Sequence, residues 1–385
     1  MLQTYSLRMP KEVYSGADAL DQIAAIVSGV KRVTVFTDKG VQGAGLLDKI
    51  MKLLRQNEAG IEISILADLP AEPTCDQAQA VIDEFIKTEA EIIIAVGGGS
   101  VMDIAKLASV SNTAYSVRDL LNNPAMAKKS VKTLMIPTTA GTGAEATPNS
   151  IVTIPEKELK VGIVNIEMIA DYVILDAEMI RKLPVQIAAS TGVDALAHAI
   201  ECYTSRKATP FGDLFALEAL DLIFNNIEKA CIDPEALEEK NAMLLASFYA
   251  GVAITASGTT AVHALSYPLG GKYHIPHGVS NAMLLVPVMK FNEPECRELF
   301  AKAYDRVNKA TEKISDEDKS TWLINRLGEI VKRLNIPENT KAYGVGRDDL
   351  DELVKSGLAV QRLLVNNRRV VTAQDARKLY REILS

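Results

Sequence analysis

The change of texture at Leu183-Pro184 constrains this chain more than any other feature, because the residues on its two sides follow different periodicities. Before it, short β-rich apolar runs alternate with segments of helical spacing. Lys31–Thr37 (KRVTVFT), Glu62–Leu66 (EISIL), Glu91–Val96 (EIIIAV), Thr133–Pro137 (TLMIP) and Tyr172–Leu175 (YVIL) read as strands. Ala44–Gln56 and Asp76–Thr88 carry apolar residues at the three-and-four spacing of an amphipathic helix. Strand–helix alternation predicts a mainly parallel sheet covered by helices on both faces, an α/β domain over residues 1–184. Ile151–Val164 (IVTIPEKELKVGIV) departs from this pattern: two short runs around a polar turn predict a hairpin. Beyond Pro184, Val185–Tyr203, Gly212–Ala230, Ala236–Ala256 and Cys296–Leu334 are rich in Ala, Leu and Ile, so residues 185–385 are expected to be all-helical. Pro337–Asp351 is the expected irregular loop.

At 385 residues the chain can bury two ordinary cores. Its 42 basic and 49 acidic residues leave a net charge of −7, which argues against a nucleic-acid or anionic-membrane partner, since either favours a basic face. No apolar run reaches transmembrane length, and Met1–Pro10 lacks the apolar core of a signal peptide. Cys75, Cys202, Cys231 and Cys296 stand singly, so neither a disulfide framework nor a thiolate zinc site is expected, and a reducing cytoplasm fits.

Two glycine turns follow predicted strands. Ile92–Val96 runs into Gly97, Gly98, Gly99 and Ser100, where a helix is expected to begin with Ser100 as its N-cap and Asp103 completing a capping box. Glycines let backbone come close to a ligand, and free N–H groups at a helix start favour an anion. The plain alternative is a tight, well-capped strand-to-helix turn. The second turn, Thr138-Thr139-Ala140-Gly141-Thr142-Gly143, follows the strand ending at Pro137 and offers hydroxyls suited to phosphate or ribose. Two such turns at strand ends lie where open α/β sheets bind ligands. Asp38 follows the strand Val33–Thr37, where its carboxylate can accept from ribose hydroxyls and repel a 2′-phosphate, favouring NAD over NADP; an Asp opening an exposed turn is the ordinary alternative. In the Rossmann fingerprint the acid follows the glycine loop, whereas here it precedes it, so a dinucleotide site here has another topology.

All four histidines fall in the second half. Asp194 and His198, spaced i and i+4 in TGVDALAHAIE, share one face of a helix whose other residues are apolar. Alone they could be a hydrogen-bonded structural pair. His263 (TAVHALSYPLGG) and His277 (KYHIPHGVSN), expected to flank a Gly-Gly turn, add two imidazoles. Three imidazoles and a carboxylate suit Fe²⁺ or Zn²⁺, and an ion so held polarises a substrate oxygen. His274 is expected to support these ligands or to line their loop.

The stretches GGGSVMDIAK, PTTAGTGAEAT, GVDALAHAIE and HALSYPLGGKYHIPHG, in this order, resemble the iron-containing (group III) alcohol dehydrogenase family, as does the opening YSLRMPKEVYSGADAL. The resemblance covers nearly the whole chain. It implies an α/β nucleotide-binding domain and a helical domain of dehydroquinate synthase-like architecture, in a homo-oligomer. It assigns the metal, iron by family expectation with zinc acceptable to the donors, to Asp194, His198, His263 and His277. It assigns NAD to Asp38, Gly97, Gly98, Gly99, Ser100, Thr138, Thr139, Thr142, Asn149 and Lys160. The implied activity is hydride transfer between NAD(H) and a small alcohol or aldehyde, with His277 and Tyr267 as the catalytic candidates. Tyr267 stands where many members carry a proton-relaying histidine; with a reference pKa of about 10 against about 6.5, it is a poor base at neutral pH. Some hydroxyacid–oxoacid transhydrogenases share that tyrosine, so a hydroxy-acid dehydrogenase or transhydrogenase is the second reading. A lyase of the dehydroquinate synthase kind would need a denser Lys/Arg set, and a binding protein without turnover is not required, because all four ligands are present.

Overall fold

The structure is a computed structural model that describes residues 4–56, 60–111, 114–157, 159–309 and 314–384. The chain forms two compact units, one over Arg8–Leu183 and one from Pro184 onward that also takes in residues 4–7. In the first unit the strands are β1 (Glu12–Ser15), β2 (Arg32–Phe36), β3 (Glu62–Leu66), β4 (Ile92–Gly97), β5 (Lys132–Pro137), β6 (Asn149–Ile154), β7 (Leu159–Val164) and β8 (Tyr172–Leu175). Six of them make one sheet in the order β1-β8-β5-β4-β2-β3, every pairing parallel. β4 is buried throughout, as expected of a strand covered on both faces. Val33, Val35, Ile92, Ile94, Val96, Leu134 and Ile136 pack one face against Leu20, Ile23, Ile50 and Leu54. β6 and β7 form the antiparallel hairpin expected from Ile151–Val164. The edge strand β1 was not foreseen; EVYS is too short to show a period, and its partner β8 lies far along the chain.

Register places the candidate nucleotide residues. β5, β4 and β2 are neighbours, with Gly97 opposite Pro137 and Phe36 opposite Ala95, so the turns after all three open at the sheet's carboxyl end. That edge is where parallel sheets hold ligands.

The second unit is helical among the described residues. Its long helices are Val185–Tyr203, Pro210–Ile232, Leu237–Ser257, Ala261–Tyr273, His277–Asn308 and Asp316–Arg333. Local chemistry sets several starts: Thr209 caps with Pro210 behind it, and Ser315 accepts from the Asp318 N–H. The stretch Cys296–Leu334 resolves into two helices. Gly270-Gly271 is not a turn: the helix runs through it to Tyr273 and ends at His274 in the left-handed region, φ 55°. Within 337–351, short 3₁₀ turns occupy Lys341–Tyr343 and Arg347–Asp349.

Candidate functional site

The metal-type cluster begins on the helix Val185–Tyr203. Asp194, His198 and Glu201 occupy positions i, i+4 and i+7, one face of that helix, and all three are buried. His263 comes from the helix Ala261–Tyr273, and His277 opens the helix His277–Asn308. Gly278 lets the last helix approach: a Cβ there would lie 2.1 Å from the carbonyl oxygen of Ser190, so any side chain would push His277 away from Asp194.

Three imidazoles converge on one carboxylate oxygen. Asp194 Oδ1 lies 3.4 Å from His263 Nε2, 3.6 Å from His277 Nε2 and 3.8 Å from His198 Nε2. The His198 and His263 rings stack with centroids 4.4 Å apart. The ligand atoms of Asp194, His263 and His277 all fall within 4.8 Å of one another. His277 is half-buried, so the cluster has one open side.

Two residues overlooked in the sequence support this set. Glu201 Oε2 bonds His263 Nδ1, while its other oxygen accepts from Thr260 N (3.1 Å), Thr260 Oγ1 (2.7 Å) and Val262 N (2.7 Å). Anchored in this way, Glu201 turns Nε2 of His263 toward Asp194. Asn281 donates to Asp194 Oδ1 at 2.7 Å and lies 3.1 and 3.2 Å from Nε2 of His263 and His277. Its own Oδ1 is buried without a hydrogen-bond partner among the described residues. Both had a sequence signal: Glu201 ends the i, i+4, i+7 series, and Asn281 lies one turn after His277. His274, by contrast, is exposed at a helix end and bonds none of the cluster among the described residues.

The electrostatics fit a divalent cation. Burial opposes ionisation of Asp194, yet the charges of His198, His277 and His263 outweigh it and hold the carboxyl well below its usual range. Burial likewise opposes charge on His263, and Glu201 and Asp194 raise it to about 10. Two buried carboxylates draw positive charge to this point, and three imidazoles, neutral once a cation takes the place of their proton, plus a carboxylate are borderline-to-hard donors that would suit Fe²⁺ or Zn²⁺.

In the α/β unit, the two glycine turns face each other. Thr138 N donates to the Gly97 carbonyl at 3.0 Å, and a Cβ on Gly99 or Gly98 would meet Thr142 at 3.0 Å or Thr139 at 3.6 Å. Gly97 is forced: its Cβ would lie 2.5 Å from Val101 Cγ2. One expectation is corrected. Gly98, in extended conformation, is the N-cap of the helix Gly99–Val110, and Ser100 lies inside the first turn. Ser100 Oγ instead accepts from Glu72 N at 3.0 Å. Asp103 makes no capping box; it pairs with buried Lys106 at 2.8 Å and accepts from Ile151 N, tying the hairpin to the helix. Asp38 caps the short helix Lys39–Gly43, accepting from Val41 N at 2.9 Å. Lys160, on β7, pairs with Glu72 at 2.6 Å, so Glu72 joins Lys160 to Ser100. Asn149 starts β6, with its carbonyl bonded by Lys106 Nζ.

A parallel sheet with facing glycine turns at its carboxyl edge, and a helical unit carrying a three-histidine, one-carboxylate cluster, together define a metal-type oxidoreductase architecture. The family comparisons agree. Residues 10–177 match the iron-containing alcohol dehydrogenase family and residues 188–384 match its C-terminal domain; the chain belongs to this family. It is 32% identical to long-chain-alcohol dehydrogenase 1 of Geobacillus thermodenitrificans, covering 96% of this chain and 94% of that one. It is 30% identical to the NAD-dependent methanol dehydrogenase of Bacillus methanolicus, covering 92% and 93%. The iron-containing alcohol dehydrogenase of Thermotoga maritima superposes with a TM-score of 0.84 at 31% identity, over 99% of each chain. The chain is an oxidoreductase of small alcohols and aldehydes, and the second reading, a hydroxy-acid dehydrogenase or transhydrogenase, is not favoured.

Proposed function

We propose that the protein transfers hydride between NAD(H) and a small alcohol or aldehyde, with a divalent metal, Fe²⁺ or in its place Zn²⁺, held by Asp194, His198, His263 and His277. The observation that carries this reading is the convergence of three imidazole nitrogens on Asp194 Oδ1 within 3.8 Å. A cation bound there supplies the positive charge that polarises the substrate oxygen. Glu201 and Asn281 orient the ligands, the half-buried His277 marks the substrate side, and Tyr267, whose ring lies 6.0 Å from His277, offers a hydroxyl beside it. In this reading residues 1–184 are the dinucleotide domain and residues 185–385 the metal and substrate domain.

For the cofactor, Gly97, Gly98, Gly99 and Ser100 with Thr138, Thr139 and Thr142 cradle the pyrophosphate, supported by the facing of the two turns. Asp38 takes the ribose hydroxyls, and Asn149 and Lys160 complete the site. Its four cysteines are buried and unpaired, which suits a reducing cytoplasm; among the described residues no single helix is long and apolar enough to cross a membrane. A homo-oligomer completes the proposal.

The test is steady-state kinetics of anaerobically prepared protein on short alcohols and aldehydes with NAD and with NADP. Turnover with a clear preference for NAD is expected, and Asp38→Gly should reduce that preference. Turnover with neither cofactor would overturn the reading, and an unchanged NAD/NADP ratio in the variant would remove Asp38 from the ribose.

A further inference from the structure

We propose that Glu72 is a resident anion in the dinucleotide cradle: its carboxylate occupies Lys160, yields the lysine to the cofactor's phosphates on binding, and so keeps NAD(H) exchangeable. The inference rests on the dinucleotide reading of the two glycine turns and names a residue that sets how tightly that site holds its cofactor. Glu72 touches the cradle at two points. Its carboxylate lies 2.6 Å from Lys160 Nζ, and its backbone N–H donates to Ser100 Oγ at 3.0 Å. The second bond uses the serine oxygen as acceptor and leaves the hydroxyl's own proton to donate to an anion. Ser100 lies in the first turn of the helix Gly99–Val110, whose free N–H groups favour the same anion. One residue thus spans from serine to lysine, which brings Nζ within a side chain's length of the helix start with an acid already on it.

The backbone of this acid is fixed, while its carboxylate can move. Glu72 holds φ 52°, a left-handed conformation that a residue with a side chain keeps only where its surroundings impose it. Here they do: the Pro73 carbonyl accepts from Thr153 N of β6 at 2.8 Å, and Thr74 caps the helix Cys75–Ile86 with a full capping box. The Lys160 side chain is only 10% exposed and that of Glu72 44%, so the lysine stays and the acid is the partner with room to swing into solvent. A carboxylate and a phosphate compete for one ammonium. Paired, Lys160 and Glu72 sum to zero charge, and the pyrophosphate is left to the backbone N–H groups and hydroxyls. An uncompensated lysine so far out of water would hold a diphosphate much harder.

The test is calorimetric titration of NADH, ADP and adenosine into metal-loaded protein without substrate. Glu72→Gln, which removes the charge and keeps the shape, should bind NADH and ADP at least fivefold more tightly than wild type. Adenosine, which has no phosphate, should bind both proteins alike. Adding Lys160→Met to Glu72→Gln should cost at least tenfold in ADP affinity, because the released lysine is then what holds the phosphates. NADH release, followed by stopped-flow fluorescence, should slow in Glu72→Gln by about the factor its affinity gains, since affinity differences of this kind lie mostly in the off-rate. Unchanged or weaker NADH and ADP binding in Glu72→Gln, an equal gain for adenosine, release no slower than wild type, or a Lys160→Met change that costs nothing would each overturn the proposal and leave Glu72 a buttress of Lys160. Absence of NADH and ADP binding in wild type and every variant would overturn the dinucleotide reading itself, and the competition at Lys160 with it.

Discussion

Glu201 shows how much of the proposed metal site can rest on a residue that is not one of its proposed ligands. Its four hydrogen bonds fix the His263 ring, and such carboxylate–histidine pairs are typically worth about 10–100-fold in metal affinity. Glu201→Ala should therefore weaken metal binding by roughly that factor, with Glu201→Gln losing less because an amide oxygen still accepts. Competition against a chelator measures it, and unchanged affinity in Glu201→Ala would deny the residue this role. Glu145 shows the opposite economy. It is buried in the turn at 141–146, one carboxyl oxygen has no hydrogen-bond partner among the described residues, and desolvation pushes it up to about 7. Below the ordinary carboxylate range it is neutral both folded and unfolded, and nothing is lost. As pH rises from about 4.5 through 7 the unfolded chain ionises first, and the folded state loses up to about 3 kcal/mol relative to it. Glu145→Gln should consequently unfold at a higher temperature than wild type at pH 8 and show little difference at pH 4; a gap that does not widen with pH would contradict this.

Helix and strand geometry explains why these side chains meet. Gly278 permits two helices to approach backbone to backbone, and a methyl there collides with a carbonyl that cannot rotate away. Gly278→Ala should lower both the unfolding temperature and the metal affinity, the latter by at least tenfold, because His277 moves with its helix; overpacking of this kind typically costs about 1–3 kcal/mol. Retained metal affinity in a destabilised variant would show that the crossing serves packing alone. At this scale the sequence was uneven to read. The strands β2, β4, β5 and β8, the edge strand β3 and the hairpin showed plainly, because covered strands are near-continuous apolar runs, β3 alternates, and a hairpin is two short runs. The edge strand β1 did not, since four residues carry no period and pairing with β8 is a long-range event. Ser100 has the chemistry of a cap, but Gly98 reaches extended conformation two residues earlier and takes the position. Gly270-Gly271 looks like a turn only because glycine usually punctuates; here the helix continues and His274 makes the left-handed exit.

For the whole molecule, the two textures on either side of Pro184 foreshadow a parallel sheet and a helical unit, and the candidate residues sort between them: nucleotide turns in the first, metal ligands in the second. The candidate ligand types stand out in the sequence, because histidine is scarce and its four copies gather in the second half. Their supports were fainter: Glu201 and Asn281 keep helical spacing from Asp194 and His277, but read as ordinary helix residues until three helices bring them beside His263. The account's central claim is that Asp194 and its histidines hold one catalytically required metal ion. The most direct measurement is metal content per chain in anaerobically purified wild type and His263→Ala, read alongside NAD-linked alcohol oxidation. About one divalent ion per wild-type chain is predicted, with ion and activity both lost in His263→Ala while the fold is retained. Full activity in wild-type protein stripped of metal would contradict it.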